Sequence, residues 1–271
     1  MNALVEMLSY SFMTRALLVG IPVSLCAALL GVCLVLKRYS MIGDGLSHVA
    51  FGAMAIAASA GLAPLPVAVP TVMVSAFLLL RFKNSEGAGG DAAIAMISTV
   101  SLAVGVIAVS LNKGLNTDVN SYMFGSVYSI TSEDVGISLA LSALVAILFF
   151  IFYPRIFSVT FDESFAAATG LRVALYNTVI ALLTAVTVVL GMRLMGTLLI
   201  SALIVFPSLS AMRVSRSFRS LVLLAALISV ICFMIGIVLS YVIGLPPGGS
   251  IVLCNLAVYA IGYVVGKLLG R

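Results

Sequence analysis

Asp44 and His48 stand four residues apart in Ser40-Met41-Ile42-Gly43-Asp44-Gly45-Leu46-Ser47-His48, just after the basic pair Lys37 and Arg38. No other ionisable residue follows until Arg81, and His48 is the only histidine of the chain. On a helix, the i, i+4 spacing puts carboxylate and imidazole on one face. Ionisable groups inside a bilayer are costly; they face a cavity or a partner and mark a transport path. A carboxylate beside an imidazole suits a first-row divalent metal better than Na⁺ or K⁺. The competing reading is structural: Asp44 caps a helix at the membrane surface and His48 is a hydrogen-bonded helix residue. The motif alone leaves both open.

Such a pair needs a scaffold that holds it in the membrane, and composition supplies one. Of 271 residues, 63% are hydrophobic and only 8% are charged, which excludes a soluble domain and specifies a polytopic membrane protein. The class is all-α, because the apolar runs are continuous and far longer than barrel strands. Nine spans are predicted, near 11–36, 46–62, 64–81, 91–111, 133–153, 174–191, 195–212, 218–243 and 250–268. Segments 46–62 and 64–81 meet at Gly61 to Pro66, so a bent pair would lower the tally to eight. One membrane domain fills residues 1–271. Cys26, Cys33, Cys232 and Cys254 lie in apolar spans without CxxC spacing and read as packing residues. Met1 to Tyr10 holds Glu6 and no basic residue, and the run that follows is too long for a cleaved signal peptide.

Alternate threading tests the spans against the rule that cytoplasmic loops collect Lys and Arg. With the N-terminus outside, eleven of the fourteen basic residues fall inside: Lys37, Arg38, Arg81, Lys83, Arg155, Arg172, Arg213, Arg216, Arg219, Lys267 and Arg271. Only Arg15, Lys113 and Arg193 fall outside, so the N-terminus is expected outside and the C-terminus in the cytosol. The net charge of +5 therefore reads as topology and not as a nucleic-acid footprint. The glycine-rich turn 82–91 lacks the GK[ST] of a phosphate cradle, and Gly262 to Lys267 has the wrong spacing. No nucleotide site is expected in the chain itself.

Two connections carry further signals. Residues 112–132, on the outer side, contain Tyr122, Phe124 and Tyr128, which suit either an outer gate or interfacial anchors. Residues 154–172, on the inner side, run through Phe161-Asp162-Glu163-Ser164-Phe165 to Gly170. Asp162 and Glu163 fit the first turn of a short helix, Gly170 fits its left-handed cap, and Phe161 and Phe165 share one face. Paired aromatics are the kind of anchor a partner groove accepts. A helix lying flat on the membrane is the alternative, though an acidic pair would then face an anionic leaflet.

Taken together, four segments resemble the permease subunits of the ABC-3 family, the bacterial importers of zinc, manganese and iron. They are Gly43-Asp44-Gly45-Leu46-Ser47-His48; Tyr122-Met123-Phe124-Gly125-Ser126; Phe161-Asp162-Glu163 through Gly170-Leu171; and Gly196-Thr197-Leu198-Leu199-Ile200-Ser201-Ala202-Leu203-Ile204-Val205-Phe206-Pro207. They occur in the family's order and cover nearly the whole chain. Ser164 departs from the pattern, standing where an acidic residue is common, and the outer loop is not histidine-rich. The resemblance implies a non-enzymatic translocation subunit in a bacterial inner membrane. It also implies a cytoplasmic ATPase subunit as partner, an extracytoplasmic metal-binding protein, and a second permease copy. Asp44 and His48 would bind the passing metal, with no permanent cofactor. Phe161, Asp162, Glu163, Phe165 and Gly170 would form the helix that couples to the ATPase.

The residues support two of these points independently. The chain offers no nucleotide motif, so energy must come from elsewhere. One Asp and one His cannot complete a tetrahedral or octahedral site, whereas two copies about a two-fold axis supply four ligands. A gradient-driven secondary transporter or channel is the alternative, and it usually needs coupling carboxylates in several spans, where here Asp44 alone is expected. An intramembrane metalloenzyme needs about three protein ligands and a general base, which one histidine without HExxH does not provide.

Overall fold

The computed structural model describes residues 6–7, 9–83, 89–111 and 130–268. The gate residues Tyr122, Phe124 and Tyr128, the centre of the 82–91 turn, Lys113 and Arg271 lie outside the described residues. Among the described residues ten helices follow in order: α1 Ser11–Leu36, α2 Ser40–Ser59, α3 Pro64–Lys83, α4 Gly89–Leu111 and α5 Ser132–Ile151 come first. Then come α6 Tyr153–Phe161, α7 Glu163–Ala168, α8 Val173–Met212, α9 Phe218–Ile243 and α10 Pro247–Leu268. Nine segments among the described residues are long and apolar enough to cross a membrane, α8 supplying two of them. The tally of nine holds, and α2 and α3 are separate helices.

α8 is two helices because of Gly196. Its φ of 82° and ψ of 167° fall in a region only glycine occupies readily. The chain doubles back there: a Cβ on Gly191 would lie 2.2 Å from Ile200 Cδ1, whereas nine residues of continuous helix would separate the two by about 13 Å. Both halves of α8 pack beside α1 at the centre of the molecule; α5 and α9 flank α1, and α10 covers α8 and α9. α2, α3 and α4 form a second group joined to the first through α8. α2 and α4 run parallel in close register, Gly45 against Ile94, Gly52 against the backbone of Ser101, and Ser59 Oγ donating to the Ala108 carbonyl at 3.0 Å. Small residues at such a seam let backbones approach where no hydrophobic effect drives helices together.

Several boundaries differ from the sequence expectation by one to six residues. α2 begins at Ser40 and ends at Ser59, not 46–62, so Asp44 lies inside the helix. α5 stops at Ile151 and α10 starts at Pro247. The sequence places Tyr153-Pro154-Arg155 at the end of the fifth span; that span closes just before it, at Ile151, and Pro154 sits in the first turn of α6, a helix that hydropathy alone does not reveal. Its missing N–H is harmless there, because the first donors of a helix have no intrahelical partner. Asp134, buried in the first turn of α5, is a second acidic residue within a span, where Asp44 alone was expected. Arg193 Nη2 donates to Asp134 Oδ2 at 3.2 Å and Arg15 Nη1 donates to the Ile130 carbonyl at 3.2 Å. Two of the three basic residues assigned to the outer side are thus tied down at that end.

Candidate metal site

Asp44 and His48 occupy the fifth and ninth positions of α2, about 6 and 12 Å along its axis at 1.5 Å per residue. Tyr39, not Asp44, stands at the N-cap position of this helix, without a side-chain cap bond, so the capping alternative fails. Close packing on both flanks explains the glycines around the aspartate. A Cβ on Gly43 would meet Ile204 Cδ1 of α8 at 3.0 Å, and one on Gly45 would meet Ile94 Cγ2 of α4 at 2.8 Å. Asp44 is thereby held between two helices that its neighbours allow to come close.

The carboxylate reaches both partners. His48 Nε2 lies 3.8 Å from Asp44 Oδ2, too far for a hydrogen bond. Two ligands each about 2.1 Å from a divalent metal and about 90–110° apart lie about 3.0–3.4 Å from each other. A small side-chain rotation therefore brings the pair to coordinating distance. The Ser201 hydroxyl, on the second half of α8, donates to Asp44 Oδ1 at 3.1 Å. It also lies 3.2 Å from the Thr197 carbonyl, but its single proton goes preferentially to the charged acceptor. Ser201 was quoted in the sequence only as part of a segment; its role depends on a contact spanning 157 positions, which no local pattern encodes. The Asp44 side chain is 47% exposed and that of His48 20%, and His48 Nδ1 is buried without a hydrogen-bond partner among the described residues. Met41 and Leu198, three positions before Asp44 and Ser201 on their helices, are also half-exposed. No group of three or more His, Cys, Asp or Glu side chains that could hold a metal occurs among the described residues.

The predicted short helix is α7, and its ends are well defined. Asp162 is the N-cap and not a first-turn residue: its Oδ1 accepts from the Phe165 N–H at 2.9 Å. Gly170, at φ 84°, closes the helix while Leu171 N–H bonds to the Ala166 carbonyl and Gly170 N–H to that of Ala167, a Schellman arrangement. Ala166 is buried against Val159 and Tyr176, which turns Phe165 outward at 62% exposure. Phe161 ends α6 and is 64% exposed, its ring edge-on to Phe218 at 6.2 Å. Beside it lies a groove of about 180 Å³ lined by Met212, Arg216 and Phe218. Glu163 turns the other way, to Lys37 and Asn177. Burial would raise its carboxyl, but the hydrogen bonds from Lys37 and Asn177, with the Lys37 charge, hold it below the ordinary glutamate range.

The sequence model of the ABC 3 transport family matches residues 9–266. A "Probable metal transport system membrane protein" of Thermotoga maritima is 32% identical, over 92% of this chain and 88% of its own length. The "Manganese import system permease protein ScaB" of Streptococcus gordonii is 25% identical, over 94% and 92%. Among solved structures, "PsaBC from Streptococcus pneumoniae in complex with Fab" matches with a TM-score of 0.87 and 26% identity, covering 97% of this chain and 94% of that one.

Proposed function

We infer function from one premise: this chain belongs to the ABC 3 transport family, whose members include metal-transport permeases, and it is a multi-pass membrane protein. The reading supported best is the translocation subunit of an ATP-driven importer of Mn²⁺, Zn²⁺ or Fe²⁺. Metal would pass from an outer binding protein to the cytosol, and a separate cytoplasmic ATPase subunit would hydrolyse the ATP. The carrying observation is the Asp44, His48 and Ser201 constellation, partly exposed and carried by two helical segments long and apolar enough to cross a membrane. Alone it is too small to hold a metal. A second copy across a two-fold axis doubles the donors and covers the exposed carboxylate, and mixed O and N ligands of that number suit a divalent transition metal. Manganese comes first: the Streptococcus gordonii relative is a manganese permease by name, and oxygen donors from Asp44 and Ser201 lean toward the harder ion.

Phe161 and Phe165 then anchor the ATPase. A gradient-driven transporter gains nothing from the buried Asp134 carboxylate, because it is paired with Arg193. The test is metal content of whole cells with and without this gene, by elemental analysis, together with co-purification of an ATPase. Unchanged manganese, zinc and iron in cells lacking the gene would overturn the reading.

A further inference from the structure

The turn from α1 into α2 carries a charged side chain almost shut off from water. Lys37 directly follows α1, and its side chain is 4% exposed. Its Nζ donates to Glu163 Oε1, and Asn177 Nδ2, from the first half of α8, donates to the same oxygen at 3.1 Å. The ammonium also lies 5.8 Å from the centroid of the Tyr39 ring. One carboxylate oxygen thus joins three elements: the α1–α2 turn, α7 and α8.

The turn itself has little slack. Arg38 adopts φ 59°, the left-handed position that glycine normally takes at a helix end. Tyr39 N–H bonds to the Leu34 carbonyl at 2.7 Å and Arg38 N–H to that of Val35 at 3.1 Å. Ser40 opens α2, and Asp44 follows one turn later. At the other end, Glu163 is the first residue of α7, the helix that presents Phe165. A displacement of α7 therefore pulls on Lys37, and Lys37 is rigidly continuous with the helix that bears Asp44. Cohesion alone does not require an ion pair, since a packed apolar pair holds elements together as well. What the pair adds is direction, because one acceptor shared by two donors fixes Glu163 against both.

We propose that the Lys37–Glu163 pair is the strut through which movement of α7 is passed to α2 and the Asp44–His48 site, making Lys37 a positioning residue for transport. This rests on reading α7 as the ATPase-docking helix. The strut connects two parts of the molecule with different roles. α7 receives the motion, and α2 changes the height and rotation of the metal ligands.

The test uses the permease purified with its ATPase and reconstituted in vesicles, with Mn²⁺ as the probe and the ratio of metal moved to ATP hydrolysed as the readout. Lys37→Met keeps the length and the apolar stem while removing the charge. ATPase association is expected to persist while the transport ratio falls about ten-fold, inside the about 5–150-fold range of coupling between linked sites. Lys37→Glu is expected to be at least as poor. Lys37→Glu combined with Glu163→Lys restores the ratio, because the pair is re-formed in reverse; the Asn177 carbonyl oxygen, without a partner among the described residues, can turn to accept. A wild-type ratio in Lys37→Met overturns the strut, and so does a reversed pair no better than Lys37→Glu alone, which marks a packing role. Wild-type vesicles supplied with the outer binding protein that show no ATP-dependent uptake of Mn²⁺, Zn²⁺ or Fe²⁺ overturn the parent reading and the strut with it.

Discussion

If Asp44 and His48 are the transport ligands proposed above, they must release the metal in every cycle and so bind loosely, and their separation fits that demand. If a metal were to draw the side chains together across the 3.8 Å gap, occupancy would cost a rearrangement that release returns. Asp44→Asn or His48→Ala is expected to reduce manganese uptake to background while the protein still purifies with its ATPase; normal accumulation in both variants would remove them from the path. Ser201→Ala is a milder change. Loss of one hydrogen bond to the carboxylate costs about 1 kcal/mol, or about five-fold in the metal concentration for half-maximal uptake; an unchanged value would leave Ser201 as a packing residue only. Glu163 has a pH signature of its own. Its carboxyl is held below the usual range, so the stabilisation is complete above the unfolded glutamate pKa of about 4.3 and is lost only as pH falls through the lower folded value. Thermal midpoints of the complex are expected to show no Glu163-dependent loss between pH 7 and about pH 5, checked by comparing Glu163→Gln with wild type. Asp44 and His48 were legible because a shared helical face and an empty stretch of sequence single them out. Ser201 and Lys37 were not, since their meaning arises from partners 157 and 126 positions away.

Elements show where hydropathy informs and where it misleads. The nine spans were legible because each must fill the hydrocarbon with apolar residues. The start of α2 was not: Ser40, Gly43 and Asp44 lower the local hydropathy, yet the backbone continues as helix from Ser40. Pro154 looked like a stop and is a start, because proline is tolerated at the first turn and breaks only what precedes it. Gly45 is where an element would yield most plainly. Gly45→Leu places side-chain atoms into Ile94, and overpacking of this kind costs about 1–3 kcal/mol. The melting temperature in detergent is expected to fall, with uptake falling alongside as α2 and α4 separate; an unchanged midpoint would mean the seam is looser than the contact distances say. α6 and α7 act as a pair, one ending in Phe161 and the other carrying Phe165. Losing a buried aromatic anchor costs about 2 kcal/mol or more at an interface. Phe161→Ala with Phe165→Ala is therefore expected to release the ATPase on gel filtration, and a retained stoichiometric complex with unchanged transport would place the docking surface elsewhere.

At the scale of the whole molecule, two ends and a belt are visible. Along α4, Met96, Val100, Val104, Ile107 and Leu111 face outward, and α9 does the same with Leu223, Leu227, Ile231 and Ile235. These apolar stripes suit lipid tails, whereas the part-exposed Asp44 and Ser201, on α2 and α8, are polar groups that lipid would penalise. Under the proposed function, a second copy would satisfy those groups and complete the ligand set. The ends differ in charge. One gathers Lys37 and Arg38, α6 and α7, and the Met212–Phe218 turn; the other holds the Arg193–Asp134 pair and Arg15 with its backbone acceptor. Cytosolic loops collect basic residues, so the first end is expected in the cytosol and the second outside, with metal entering where α8 doubles back at Gly196 and leaving toward α7. Ser132→Cys, on the exposed first turn of α5, is expected to react with a membrane-impermeant maleimide in intact cells. Thr169→Cys, exposed beside Gly170, is expected to react only after the membrane is opened. Labelling of Thr169→Cys alone in intact cells would invert the molecule. It would also put α7 on the side without ATP, so an ATPase docked on Phe161 and Phe165 and an outward-facing α7 are incompatible results, and this one measurement decides between them.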